Sequence, residues 1–255
     1  MEKKGQVALF VIVGVVIVIV ALLLWYLNDS GIVPLTGSQD FLSSKLTPIE
    51  EDIMKCVTES VEPGVVLLGL QGGAMNPGYY AFYEGQRVKF LCSNIPNKER
   101  CLNHMPLLED IRVEFEEYVV NALKNCMDPS LVKSGSGYDV SVGALDVNVE
   151  FGDEAVITAV DYDVKVIRDG ETLELSKIEV PVDAPFKKLY GVVYDIVQAK
   201  ATTGYFDQLI YMLQKRGSYE INVDKPYPHT IYKVNQKDSD YVFLFAVEGE
   251  GGYVQ

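Results

Sequence analysis

Hydrophobic and polar positions change rhythm several times along this chain, and each change predicts an element. Val7 to Leu27 reads VALFVIVGVVIVIVALLLWYL, 21 residues with neither a charge nor a polar stripe at helical spacing. A helix of that length spans about 30 Å, the depth of a bilayer's hydrocarbon core, so the stretch predicts a transmembrane helix. The run is longer than the apolar region of a cleaved secretory signal. The next residues, Asn28-Asp29-Ser30-Gly31, contain a glycosylation sequon and not a small-x-small cleavage site. Residues 29–46 scatter Gly, Ser, Pro and Thr and read as a linker.

From residue 47 the period becomes helical. Thr47-Pro48-Ile49-Glu50 has the form of a capped start, and Ile49, Ile53, Cys56 and Val57 come after it at helical spacing. Pro63 predicts a kink or a restart before VVLLGLQ, and Gly72-Gly73 a helix end. Tyr79 to Leu91 predicts a hairpin about a Glu84-Gly85 turn. Its first strand carries Tyr79 and Tyr83 on one face and Tyr80 and Phe82 on the other, a possible contact surface. A second helix is predicted over Pro106–Met127. Leu108, Ile111, Phe115, Tyr118, Ala122 and Cys126 form its apolar stripe, and Glu109, Glu114, Glu116 and Glu117 its wet side.

Beyond Gly137 the period is two. Strands are predicted near 137–142, 144–151, 154–167 and 171–181, with a tight turn at Arg168-Asp169-Gly170-Glu171. Asp161 and Asp163 alternate with Tyr162, Val164 and Val166, so one face is wet. Asp183-Ala184-Pro185 opens a further helix with the stripe Phe186, Leu189, Tyr190, Val193, Ile196 and Val197. Gly204 interrupts it, and a piece over 205–215 carries Phe206, Leu209, Ile210 and Leu213. Strands over 218–223, 229–235 and 241–247 close the chain. The expected class is α+β: an N-terminal transmembrane helix, then an exterior domain of amphipathic helices packed on an antiparallel β-meander. The expected division is 1–28, stub and membrane helix; 29–46, linker; 47–255, exterior domain, with a helical and hairpin part over 47–130 and a meander and helix part over 131–255.

Charge sets the orientation. Lys3 and Lys4 precede the apolar run and only Asp29 stands close behind it, which places Met1 in the cytoplasm and the bulk of the chain outside. Trp25 and Tyr26 then fall at the outer interface. The net charge is −14; Lys3, Lys4 and Glu2 give the first 28 residues +1, so the exterior part carries −15. That acidity disfavours nucleic acid and anionic membrane surfaces as partners.

All four cysteines lie in the exterior part. In an oxidising compartment they imply two disulfides, with three possible connectivities. Cys92 and Cys101 flank the polar loop SNIPNKER, and Cys56 and Cys126 each fall on a predicted helix, so we pair Cys92 with Cys101 and Cys56 with Cys126. Zinc is the alternative, but CxxC spacing is missing and the two histidines, His104 and His229, stand apart. No GxSxG, HExxH, Walker or dinucleotide motif occurs, no cofactor is implied, and no activated nucleophile is evident. The Glu group and the Asp161/Asp163 pair read as solvated faces.

Lys3-Lys4-Gly5-Gln6 directly before an apolar helix resembles the class III signal peptide of archaeal type IV pilin-like proteins. The resemblance implies cleavage between Gly5 and Gln6. Two features depart from the pilin pattern: Phe10 stands where many pilins carry an acidic residue, and Asp29, Gly31, Pro34 and Gly37 interrupt a helix that pilins usually run on into the head domain. The exterior part, with LLGLQGG and VFLFAVEG, resembles uncharacterised membrane-anchored proteins of archaea, which implies no function. The expected function is that of a non-enzymatic, membrane-anchored cell-surface protein. It would meet the bilayer through residues 7–27 and bind a protein or surface partner, or self-assemble. A filament subunit processed after Gly5 is the alternative, and an exterior enzyme a second one.

Overall fold

A computed structural model describes residues 37–126, 139–175 and 177–249. The apolar run, the sequon and the Gly5–Gln6 site lie outside them, and among the described residues no helix is long and apolar enough to cross a membrane.

The first element is a 34-residue helix, α1 (Gly37–Leu70). After it come strands β1 (Tyr80–Tyr83), β2 (Gln86–Asn94) and β3 (Cys101–Asn103), and then helix α2 (Leu108–Cys126). Four strands come next: β4 (Asp139–Phe151), β5 (Ala155–Arg168), β6 (Glu171–Glu174) and β7 (Ile178–Asp183). Helices α3 (Phe186–Thr203) and α4 (Gln208–Gln214) lead into β8 (Tyr219–Asp224), β9 (Thr230–Gln236) and β10 (Val242–Val247). The class is α+β, with two sheets. In one, β4, β6 and β7 all pair antiparallel with β5. The other runs β1-β2-β10-β9-β8 with β3 on β2, and it is mixed because β10 pairs parallel with β2. The parallel pair joins the N-terminal hairpin to the last strand of the chain, and one apolar core draws residues from both halves.

Helix α1 lies within that core. Ile53, Val57, Val61, Val65 and Leu68, spaced by four or three, are buried. At Gly64 an added Cβ would meet the Tyr118 ring at 2.5 Å and Phe115 at 3.1 Å, so the close approach of α2 requires glycine there. Along α2 the buried positions are Ile111, Phe115, Val119 and Leu123, strictly four apart. The stripe expected through Tyr118 and Ala122 is therefore rotated. Val119 and Leu123 offer more apolar area than Ala122, and Tyr118 stays partly exposed.

Further expectations are corrected. The helix begins at Gly37, inside the stretch read as linker, and passes through Thr47 and Pro63. Thr47 does not cap it; its hydroxyl donates to the Ser43 carbonyl at 2.9 Å, one turn back. Pro63 costs a backbone bond, but it is exposed while Val61, Gly64 and Val65 beside it are buried, so packing holds the helix through it. The strands expected over 137–142 and 144–151 are one strand, with a register shift between Val142 and Leu145. Conversely, 171–181 is two strands, β6 and β7, on successive stretches of β5.

Glu116 is not simply on a wet face. Its carboxylate accepts from the Val149 amide of β4 at 2.9 Å and from Arg112 at 2.5 Å. Glu114 accepts from the Met75 and Asn76 amides at 2.9 and 3.0 Å, binding the loop after α1. Both carboxylates join elements, a role that helical periodicity alone does not reveal.

Candidate binding surface

The β1–β2 hairpin turns on Glu84 and Gly85, both at positive φ (48° and 83°), the backbone of a two-residue turn that matches the twist of the strands. Its register pairs Tyr83 with Gln86 and Tyr80 with Lys89. Strand alternation then sends the aromatic residues two ways. Ala81 is buried with Val88, Phe90, Ile231, Leu244 and Ala246 in a small second core on the face of the six-stranded sheet opposite Phe243 and Phe245.

Tyr79 and Tyr83 fasten the hairpin over that face. The Tyr79 ring lies 4.6 Å from Phe90, which meets His229 edge-on at 4.8 Å. Burial, with a hydrogen bond to Glu248, pushes the Tyr79 phenol up to about 12. The Tyr83 hydroxyl donates to Asp224 on β8, and that bond, with some burial, raises its phenol to about 12. Tyr80 and Phe82 point the other way, 40% and 74% exposed. Arg87 lies 5.4 Å over the Tyr80 ring. β1 is also an edge of its sheet, pairing with β2 alone. The two faces expected for these four aromatic residues are there: Tyr79 and Tyr83 tether the hairpin, with Tyr79 still 48% exposed, and Tyr80 and Phe82 stand on the opposite face.

Behind the hairpin, Cys92 and Cys101 are disulfide-bonded across β2 and β3, with Cα atoms 5.5 Å apart. Cys56 is also disulfide-bonded, and its partner lies outside the described side chains. The side chain of Cys126, the last residue of α2, is among those not described. His104 sits 2.7 Å from the Ser93 hydroxyl, away from His229. Asp161 and Asp163 lie on the exposed face of β5, where Lys165 takes Asp163 at 3.5 Å and Glu174 at 2.7 Å. Among the described residues no three His, Cys, Asp or Glu side chains converge to hold a metal.

A second concavity, not expected from the sequence, opens between α3, α4 and β8. It has a volume of about 480 Å³ and includes Tyr190, Tyr194, Asp195, Tyr211, Lys215 and Tyr219 in its walls. The Tyr211 hydroxyl donates to Asp195 at 2.7 Å, and Lys215 stands 3.9 Å from Asp195 and 5.2 Å over the Tyr211 ring. Burial first, and the Asp195 bond second, raise the Tyr211 phenol far above its usual range. Aromatic walls around the Asp195 carboxylate and the Lys188 and Lys215 ammonium groups can stack and hydrogen-bond a ligand. A faint signal was available: Tyr190 and Tyr194, like Tyr211 and Lys215, stand four apart on a helix.

Helix α4 corrects one more expectation. Asp207 caps it, accepting from the Ile210 amide at 3.0 Å, yet none of its seven residues is buried. Of the apolar residues expected on this piece, Leu209, Ile210 and Leu213 face outward, and Phe206 packs against the core. Among known proteins, no family model, no curated protein and no solved structure matches the chain.

Proposed function

We propose that this is a membrane-anchored cell-surface protein whose acidic exterior domain binds a protein partner and performs no catalysis. The anchor is residues 7–27, Met1 is cytoplasmic, and the domain stands outside the cell. The observation that carries the binding role is the display of Tyr80 and Phe82 on an edge strand whose other face is tied down by Tyr79 and Tyr83. Large aromatic side chains held out on a preorganised edge lose little entropy on binding, and an edge strand can accept an extended segment. The domain's acidity favours a partner with a basic surface over nucleic acid.

The test is photo-crosslinking on intact cells. A photoreactive residue in place of Phe82 should give one defined adduct, which Tyr80→Ser abolishes, while the same group at the exposed Val113 gives none. No adduct at Phe82 would remove the hairpin as the contact surface.

A filament subunit is the second reading, and the early start of α1 favours it. Only nine residues separate Leu27 from Gly37, so the long helix begins soon after the apolar run. In this reading the chain is cut between Gly5 and Gln6 and assembles through its N-terminal part. Electron microscopy of surface filaments, with N-terminal sequencing of their subunit, separates the two.

A further inference from the structure

The tyrosines in the walls of the cleft between α3, α4 and β8 play two parts. Tyr190 and Tyr211 are pinned: the first donates to the Pro106 carbonyl at 2.9 Å, the second to Asp195 Oδ2 at 2.7 Å. Tyr194 and Tyr219 stand in the same walls, and among the described residues their hydroxyls make no hydrogen bond. Tyr194 is 46% exposed and Tyr219 half-buried. The pinned rings fix the shape of the cleft, and the other two phenols leave hydrogen-bonding capacity in its wall.

Gly191 keeps the cleft open. It lies inside α3, where glycine weakens a helix relative to alanine. The fold does not require it: its φ is not left-handed, and a Cβ added there would meet no neighbouring atom within 4 Å. It is also part of the cleft wall. The missing side chain therefore leaves room for a ligand. The volume of about 480 Å³ falls within the range of small-ligand pockets, about 300–1,000 Å³.

The charges at the cleft are paired. Lys188 bonds Glu154, and Lys215 stands 3.9 Å from Asp195 Oδ2. Each ammonium thus has a carboxylate, which disfavours an anionic ligand, and two lysines in the wall disfavour a cationic one. What stays unused is hydrogen-bonding capacity without net charge. Tyr211 and Lys215 both address Asp195 through Oδ2, so Oδ1 can still accept, and each ammonium keeps further N–H donors. Acceptors and donors set between aromatic faces match a sugar ring, whose hydroxyls bond around its rim while its C–H face packs on an aromatic side chain. We infer that this cleft binds a neutral glycan: Tyr194 packs on the C–H face, Asp195 Oδ1 accepts from sugar hydroxyls, and Lys188 and Lys215 donate to sugar oxygens. The site is separate from the hairpin surface, since Tyr219 opens β8 and Asp224, which holds Tyr83, ends it. It needs neither the anchor nor the hairpin contact proposed above.

The experiment uses the full chain in a detergent that has no sugar headgroup. Isothermal titration calorimetry follows the addition of glucose, galactose, mannose and N-acetylglucosamine, and of inorganic phosphate and tetramethylammonium as the charged alternatives. We expect saturable binding of at least one sugar and of neither ion. Asp195→Ala should weaken that binding at least about tenfold, the loss that follows when hydrogen bonds to a charged group are removed. Gly191→Leu should abolish it by filling the cleft, and because the position is exposed and a Cβ there meets nothing, the fold should persist, as circular dichroism will check. Tyr194→Ser, also at an exposed position, should weaken it without touching the Asp195 contacts. Glu117→Ala, exposed on α2, should leave it unchanged. Binding of none of the sugars, binding of either ion in their place, or sugar binding that survives Gly191→Leu in a folded chain would overturn the inference.

Discussion

The Tyr241 hydroxyl donates a 2.9 Å hydrogen bond to the carbonyl of Val65, joining the start of the last strand to the C-terminal part of the first described helix across 176 residues. Burial pushes its phenol well above the ordinary range, so it is a donor throughout the physiological range. Tyr241→Phe should cost about 1 kcal/mol, the net value of one buried hydrogen bond. Gly69→Ala should cost more, about 3 kcal/mol, because its Cβ would run into the Val242 carbonyl oxygen and would meet the Tyr241 hydroxyl at 2.7 Å. Urea denaturation of the two variants checks the order. Equal costs would show that α1 does not need this close approach to β10.

Glu116 holds the Val149 amide and Arg112 together, with its side chain 17% exposed. Glu116→Ala should therefore destabilise the fold by about 2 kcal/mol, in the range for hydrogen bonds to a charged group. Glu117→Ala, one residue on and exposed, should change stability by less than about 0.5 kcal/mol. Thermal unfolding distinguishes them.

The hairpin tethers make alkaline stability a local property. Tyr79 and Tyr83 both titrate at about 12 in the fold against an ordinary value of 10.0. Each is favoured in its protonated form by folding, so its contribution is complete below pH 10 and is lost as pH rises from about 10 to 12. Limited proteolysis at the Glu84-Gly85 turn should therefore accelerate over that window. Tyr83→Phe should flatten the dependence by removing one of the two steps; an unchanged profile would mean that the Asp224 bond does not hold the hairpin.

Cys92 and Cys101 close a short loop, and Cys56 and Cys126 would close a long one. In the chain-entropy account the two bridges constrain the unfolded chain by about 2.5 and 4 kcal/mol. Non-reducing peptide mapping should give a Cys92–Cys101 peptide and a Cys56–Cys126 peptide. A free Cys126, or Cys56 bridged between two chains, would show the helix pairing to be wrong.

The elements that were legible in the sequence are those whose signals are local. Glu84-Gly85 and Asp169-Gly170 each supply two consecutive positive φ values at a hairpin, and Gly204 ends α3 in the left-handed region. β8 and β9 carry alternating patterns, β10 is a continuous apolar run buried on both faces, and all three lie within one residue of their expected bounds. What was illegible depends on partners distant in sequence. The helix through Pro63 survives because Val61 and Val65 are buried against elements the sequence cannot place beside them. The merged β4 hides its register shift at Gly143-Ala144, where a turn residue looks like a strand end. Leu209, Ile210 and Leu213 have the spacing of a core stripe, and no local rule says that nothing packs on it. The cleft at Tyr211 and Asp195 joins two helices by a single hydroxyl, again a contact without a motif.

In the proposed function one apolar segment, residues 7–27, holds this domain outside the cell. Protease added to intact cells, with membrane fractionation and N-terminal sequencing of the fragment that stays behind, tests it most directly. The expected result is loss of everything beyond about residue 40 and a membrane-bound remnant that begins at Gln6, or at Met1 if the chain is not processed. A chain that is wholly protected from the protease, or that fractionates away from the membrane with its N-terminus intact, would contradict it.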